Sequence, residues 1–353
     1  MDFRLAQRVA DAVLWEGYVL YPYRASAVKN RFRWQFGVLT PKARGQRTGE
    51  PWAMQTECLV EPESDPTLDL RIRFLQVQAR TIEACGGDGE PCRPVERLEV
   101  DGRELVTWEE GIERWLDLEA IALDDLLREA REVPLEFGAG CDLETVSDAG
   151  GRTRARVVRE RWPLSGRVTL RAERIGNLLR LRVVLENLTE WPDGADPARP
   201  AALRSSLVGA HTLLGLRGGA FVSLLEPPEW AADAVGSCRN LQTWPVLVGE
   251  PGSRATMLSS PIILYDYPTV APESPGDLFD ATEIDEILTL RIMTLAEDEK
   301  REARGTDERA RQVIDRTDAL PAEVLERLHG AIRQLQVVDS EPAGSGDDSD
   351  HVS

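Results

Sequence analysis

The sequence predicts an α+β protein, mainly antiparallel β, whose sandwich-like core carries an N-terminal helix and a C-terminal helical segment. Three observations predict it. Short stretches of alternating apolar residues recur between residues 31 and 267, separated by Gly and Pro turn signals. Residues 2–16 instead carry apolar side chains at helical spacing. Beyond a Pro-rich stretch at 267–277, helix-capping signals and helical spacing return.

The elements follow in order. Phe3, Leu5, Val9, Val13 and Leu14 form the apolar stripe of the first helix, and Gly17 ends it. Residues 31–38 alternate strictly, so Phe32, Trp34, Phe36 and Val38 point inward while Arg31, Arg33 and Gln35 point the other way. Leu68, Leu70, Ile72 and Phe74 alternate before the phase slips to Leu75, Val77 and Ala79, which predicts a β-bulge near Phe74–Leu75. Residues 85–94 read as a loop and Asp101-Gly102 as a hairpin turn. Between Thr107 and Arg131 two readings stay open. Thr107 with Glu110 fits a capping box and Ala122–Arg131 a helix, but the aromatic content also permits strand.

From 153 to 189 the alternation is clearest. Ala155 and Val157, then Val168 and Leu170, then Leu179, Leu181, Val183 and Leu185 define three strands, with turns at 163–166 and 175–177. This predicts an antiparallel meander with one wet face. Further β-type stretches fall at 205–216, 219–225, 244–248 and 261–267. Thr282-Glu283-Ile284-Asp285 then opens a helix, where Glu283, Asp285 and Glu286 suit the helix dipole. Pro321 opens a second helix carrying Val324, Leu325, Leu328, Ile332 and Leu335. The expected division is 1–135 (N-terminal helix plus β-rich subdomain), 136–268 (sandwich-like subdomain), 269–281 (linker), 282–337 (helical segment) and 338–353 (disordered acidic tail).

Composition excludes several functions. A formal charge of −19 opposes binding to long polyanions, so nucleic acid is not an expected partner. No apolar run approaches the ~20 residues that cross a bilayer, so no membrane insertion is expected. Asp2 and Asp11 do not suit a secretory signal, and a cytoplasmic location is expected. Cys58, Cys85, Cys92, Cys141 and Cys238 are scattered without a CxxC pair, unlike a disulfide-stapled secreted domain. Cys85 and Cys92 frame a Gly-rich loop, but their spacing matches no standard metal site, which favours two unrelated cysteines over a metal or redox pair.

Catalytic signals are sparse. Histidine occurs only at 211, 329 and 351, too few for a His-based zinc site. Cys141 as a nucleophile would need His211 or His329 as its base. No GxSxG elbow, phosphate loop or dinucleotide fingerprint is present, and Asn187-Leu188-Thr189 is a glycosylation sequon without a matching signal peptide. The sequence thus nominates no catalytic residue, metal or cofactor.

One stretch stands apart. Between Gly17 and Gly49 lie Arg24, Lys29, Arg31, Arg33, Lys42, Arg44 and Arg47 and no acid, interleaved with Tyr18, Tyr21, Tyr23, Phe32, Trp34 and Phe36. These bases could pair with acids of the same chain, for example in 277–326. They could dock an acidic protein partner or another subunit, because Arg and aromatic residues are enriched at interface hot spots. They could also hold a phosphate-bearing ligand or single-stranded nucleic acid, which the overall charge opposes. For partner or anion binding, the surface expected is Tyr21, Tyr23, Arg24, Lys29, Arg31 and Arg33, with Trp34 anchoring it from the core side.

WEGYVLYPYRASAVKNRFRWQFGVL (15–39) and ATEIDEILTLRIMTL (281–295) resemble an uncharacterised family from hydrogen-oxidising bacteria, mainly actinobacteria. Its members tend to be encoded among the genes of uptake nickel–iron hydrogenases. The similarity extends to about residue 336 and is strongest at these two segments. The resemblance implies a non-catalytic accessory or scaffold role in assembling or docking such an enzyme, with a hydrogenase subunit or maturation factor as partner. The chain lacks the paired CxxC motifs of a nickel–iron large subunit and the cysteines for iron–sulfur clusters. The alternative is an enzyme acting on a small anionic metabolite through acid–base carboxylates, with the arginines as clamp.

Overall fold

The computed structural model describes residues 3–15, 36–86, 91–192 and 199–268, together with 300, 301, 304, 305, 311, 314, 315 and 318. Its spine is one long strand, β1 (Ala53–Ala84), preceded by helices α1 (Arg4–Trp15) and α2 (Lys42–Thr48). After it come β2 (Arg93–Val95), the hairpin β3 (Arg97–Val100) and β4 (Arg103–Val106), and β5 (Trp108–Ala122). Next are α3 (Leu123–Arg128), β6 (Arg131–Phe137), β7 (Gly140–Ser147), β8 (Thr153–Arg161), β9 (Leu164–Ile175) and β10 (Leu178–Asn187). Then follow α4 (Arg199–Leu203), β11 (Val208–Phe221), α5 (Ala232–Gly236), β12 (Trp244–Leu247) and β13 (Thr256–Ser260).

Nearly all the strands join one antiparallel sheet. One edge of β1 pairs with β10, β5 and β2 in turn, and the other edge with β11 and β8. Beyond β10 lie β9 and β6, beyond β11 lie β13 and β12, and beyond β8 lies β7. The fold is therefore the expected α+β class with a large antiparallel sheet, and strands from both sides of residue 135 belong to it. Among the described residues no helix is long and apolar enough to cross a membrane.

A strand this long must bend to enclose a core, and β1 does so at two register shifts against β11, Pro62/Thr67 and Arg73/Leu75. The second is the bulge that the phase slip at Phe74–Leu75 predicted. The first holds Asp65 at φ 48°, a left-handed conformation that Asp tolerates better than most residues. Leu68, Leu70, Ile72 and Phe74 face a core shared with β9, β10, β11 and α3. The opposite face meets α1, whose Ala6, Val9, Ala10 and Val13 pack on Leu213 of β11, Val246 of β12 and Leu258 of β13. Of the stripe read from the sequence, Val9, Val13 and Leu14 are buried and Phe3 is partly so.

Several local expectations meet their structures. Asp101 and Gly102 both have positive φ (49° and 77°), the pair that a two-residue turn between right-twisted strands needs. Gly176, at φ 60°, turns β9 into β10. Others are corrected. Thr107 caps no helix; its Oγ1 donates to the Val95 carbonyl (2.6 Å) and accepts the Ile82 N–H (3.0 Å), and residues 108–122 form strand β5. The helix begins at Leu123.

The meander is also corrected. β9 and β10 form a hairpin, but β8 pairs with β1 and β7, not with β9. Gly166 explains the misreading. It is not a turn residue but sits inside β9, where a Cβ would lie 2.6 Å from the Glu186 carbonyl of β10. Residues 261–267 form no strand, and the edge hairpin is made by β12 and β13 instead.

The described C-terminal positions 300, 301, 304, 311, 314, 315 and 318 are helical. Arg80 of β1 donates to the Gly305 carbonyl at 2.9 Å, and Ile314 is buried. The expected second helix from Pro321 and the acidic tail lie outside the described residues, as do positions 31–35 of the strand expected at 31–38. Its described end is corrected, because residues 36–38 form no strand, Gly37 bends the chain at φ 58°, and Phe36 is 40% exposed instead of facing inward.

Candidate functional site

Tyr21, Tyr23, Arg24, Lys29, Arg31, Arg33 and Trp34 lie outside the described residues, as do His329, Glu283, Asp285 and Glu286. Three bases of the acid-free stretch are described, Lys42, Arg44 and Arg47, and own carboxylates hold the first two. Lys42 pairs with Glu186 at 3.3 Å and lies over the Trp52 ring, while the buried Arg44 pairs with Glu50. For these two the intramolecular reading holds.

The cysteines and histidine fall out differently from the expectation. Cys85 and Cys92 are not unrelated: they form a disulfide with Cα atoms 4.2 Å apart. The pairing of Ala84 with Arg93 brings them together, since each cysteine is the next residue outward from that pair. Cys141 is exposed on β7, whereas His211 has no accessible surface. Burial, then the nearby Arg73, push the His211 imidazole down to about 3 despite its Nδ1 contact with the Gly209 carbonyl at 2.8 Å. A buried neutral imidazole cannot serve an exposed thiol. Burial raises the Cys58 thiol well above its ordinary value, and burial followed by Glu57 pushes Cys238 up to about 11. Asn187 of the sequon is fully buried and donates to the carbonyls of Leu39 and Ser205.

Two surface features remain, and sequence reading identified neither. The first lies about β12 at the end of the sheet, where Leu225, Leu241, Trp244, Ile263 and Tyr265 are large apolar side chains left exposed, Tyr265 at 86%. Their backbone is well fixed. Leu241 and Gln55 exchange N–H···O bonds (2.9 and 3.0 Å), and the buried Glu57 of β1 accepts from Arg182 Nε and the Arg239 N–H. Asp266 takes the Leu247 N–H at 2.7 Å and the Ser223 hydroxyl, and Tyr267 N–H donates to the Leu247 carbonyl. The chain after β13 therefore closes the outer edge of β12. Pro245, which has no N–H to offer, helps to blunt that edge. The side chains there stay open to solvent while the backbone does not.

The second feature is a cleft of about 890 Å³ between two Trp-Pro corners. Trp162 and Pro163 link β8 to β9, and Trp191 and Pro192 follow β10. The corners are tied together: Ser165 N–H donates to Thr189 Oγ1 (3.1 Å) and Leu188 N–H to the Ser165 carbonyl (2.9 Å). Gln76, fully buried, donates to the Trp162 carbonyl at 2.7 Å, and the Arg204 guanidinium stacks on the Trp162 ring at 4.5 Å. Glu136 of β6 and Glu190 complete the polar lining.

Among the described residues no group of three or more His, Cys, Asp or Glu is placed to hold a metal ion. Compared with models of protein families and with curated proteins, the chain matches none.

Proposed function

We propose that this protein is a non-catalytic accessory or scaffold protein that docks onto, or helps assemble, a metalloenzyme complex, and that the complex is a nickel–iron hydrogenase. The observation that carries the docking role is the apolar surface around β12. Single exposed apolar side chains are ordinary, but a group of them around one edge strand marks an interaction site. Trp244 and Tyr265 are of the types that dominate interface energies; Trp244 lies in β12 itself, paired with β13, and Tyr265 precedes Asp266 and Tyr267, which bond to Leu247 of β12. Support for the hydrogenase comes from the likeness of residues 15–39 and 281–295 to proteins encoded beside such enzymes. The role places the protein in the cytoplasm, where the Cys85–Cys92 disulfide is open to reduction.

Affinity capture of the tagged protein from its host tests both parts. The parent is expected to bring down a hydrogenase subunit or maturation factor, and the Trp244→Arg/Tyr265→Ser variant to lose it. Identical captures from parent and variant would remove β12 as the dock. A specific capture containing no hydrogenase component would remove the metalloenzyme.

A further inference from the structure

The Trp-Pro cleft lies at the β8–β9 junction, and a role for it goes beyond docking at β12. We infer that this cleft is a binding site for an extended, basic, proline-rich segment of a protein partner. Three features point to that occupant. Trp162, Pro163, Trp191 and Pro192 present flat apolar faces, the surfaces on which proline rings of a polyproline II helix pack. Such a segment is already extended when free, so it loses little entropy on docking.

The charge of the lining sets the sign of the ligand. Glu136 and Glu190 are exposed carboxylates without an ion-pair or hydrogen-bond partner among the described residues. Neighbouring acids behave differently: Glu109 is taken by Arg204 at 3.0 Å and Glu186 by Arg167 and Lys42. The cleft therefore offers two acceptors that the chain itself leaves unused, beside apolar walls. An arginine or lysine side chain satisfies the acceptors and lays its stem on the indoles. The rings already take cations of this kind, Arg204 at Trp162 and Arg44 at 5.9 Å from the Trp191 centroid. The geometry is also pre-organised, because the two corners are hydrogen-bonded to each other and Trp162 is anchored to buried Gln76. A volume of about 890 Å³ falls within the range of sites that enclose a ligand segment.

The test uses the full chain and fluorescein-labelled peptides of about ten residues built from Pro-Pro-Arg repeats, read by fluorescence anisotropy. A control peptide carries Glu in place of each Arg. Saturable binding of the Arg peptide is expected, with none of the Glu peptide. Glu136→Gln/Glu190→Gln, which alters only exposed side chains, is expected to weaken the Arg peptide about tenfold or more. Trp191→Ala is expected to weaken it independently of salt, whereas raised salt weakens binding to the parent. Binding unchanged by the double substitution, equal binding of both peptides, no binding of the Arg peptide, or full displacement by an equimolar amount of spermidine would each overturn the assignment.

Discussion

Phe74 and Phe137 meet edge to face, with ring centroids 5.4 Å apart and planes at 81°, although β10 and β9 separate their strands in the sheet. The contact is possible only because the sheet curls until β6, an edge strand, folds back over the middle of β1. The cross-core pair should therefore be energetically coupled. Phe74→Ala alone is expected to cost about 3–5 kcal/mol in chemical denaturation, as for other buried aromatic truncations. A double-mutant cycle with Phe137→Ala should return about 1 kcal/mol of coupling. A coupling indistinguishable from zero would mean that β6 does not close the core.

Glu57 makes a second prediction. It is buried, yet it serves the Arg182 guanidinium and the Arg239 backbone N–H at 2.8 Å, joining β10 and the segment before β12 to the spine. Glu57→Ala orphans both donors and is expected to destabilise the fold by about 3 kcal/mol. Glu57→Gln keeps an acceptor and should recover part of the loss. Equal midpoints for both variants in denaturant titrations would show that the acceptor is not what matters.

Asp69 ties stability to pH. Burial by itself raises its carboxyl, but the Ala120 N–H at 2.7 Å together with nearby positive charge, to which the Arg217 guanidinium bound to both oxygens contributes, leaves it below its ordinary value. With a folded pKa below the unfolded one of about 3.9, Asp69 favours the fold above that pH, and its contribution is lost as pH falls through the folded value. Asp69→Asn should therefore be less stable than the parent near neutrality, with the gap narrowing in acid. Melting temperatures recorded across that range decide it, and a gap that stays constant with pH would contradict the assignment.

The Cys85–Cys92 disulfide closes a loop between β1 and β2. Chain-entropy reasoning for a loop of this length gives about 2–3 kcal/mol, lost on reduction or in Cys85→Ser/Cys92→Ser. Thermal unfolding with and without reductant should show the same loss as the double substitution, and the variant should be indifferent to reductant. A parent that does not respond to reductant would argue that the bridge contributes nothing to stability.

Much of the fold was legible because it is local. Asp101-Gly102 turns its hairpin, and the slip at Phe74–Leu75 is written in the alternation of neighbours. The α1 stripe was readable from spacing alone. The partner of β8 was not, because PLSG looks like a turn whether its glycine bends the chain or admits the Glu186 carbonyl. Nor was the full length of β1. The alternation singled out from Leu68 marks only part of it, and the strand passes through Pro62 and Asp65 by shifting register. The exposed surface at β12 and the Trp-Pro cleft gave no signal at all, since their residues come from distant parts of the chain.

The sequence by itself determined the α+β class, the turns at Asp101-Gly102 and Gly176 and the inward faces of strands such as 68–74 and 179–185, because these depend on period and backbone preference over a few residues. Tertiary structure alone decided which strands became neighbours, that Cys85 found Cys92, and that Trp162 and Trp191 came to line one cleft. The backbone ladder is chemically alike for every pairing, so the choice among partners is made by whichever closure buries the shared apolar core, a property of the whole chain.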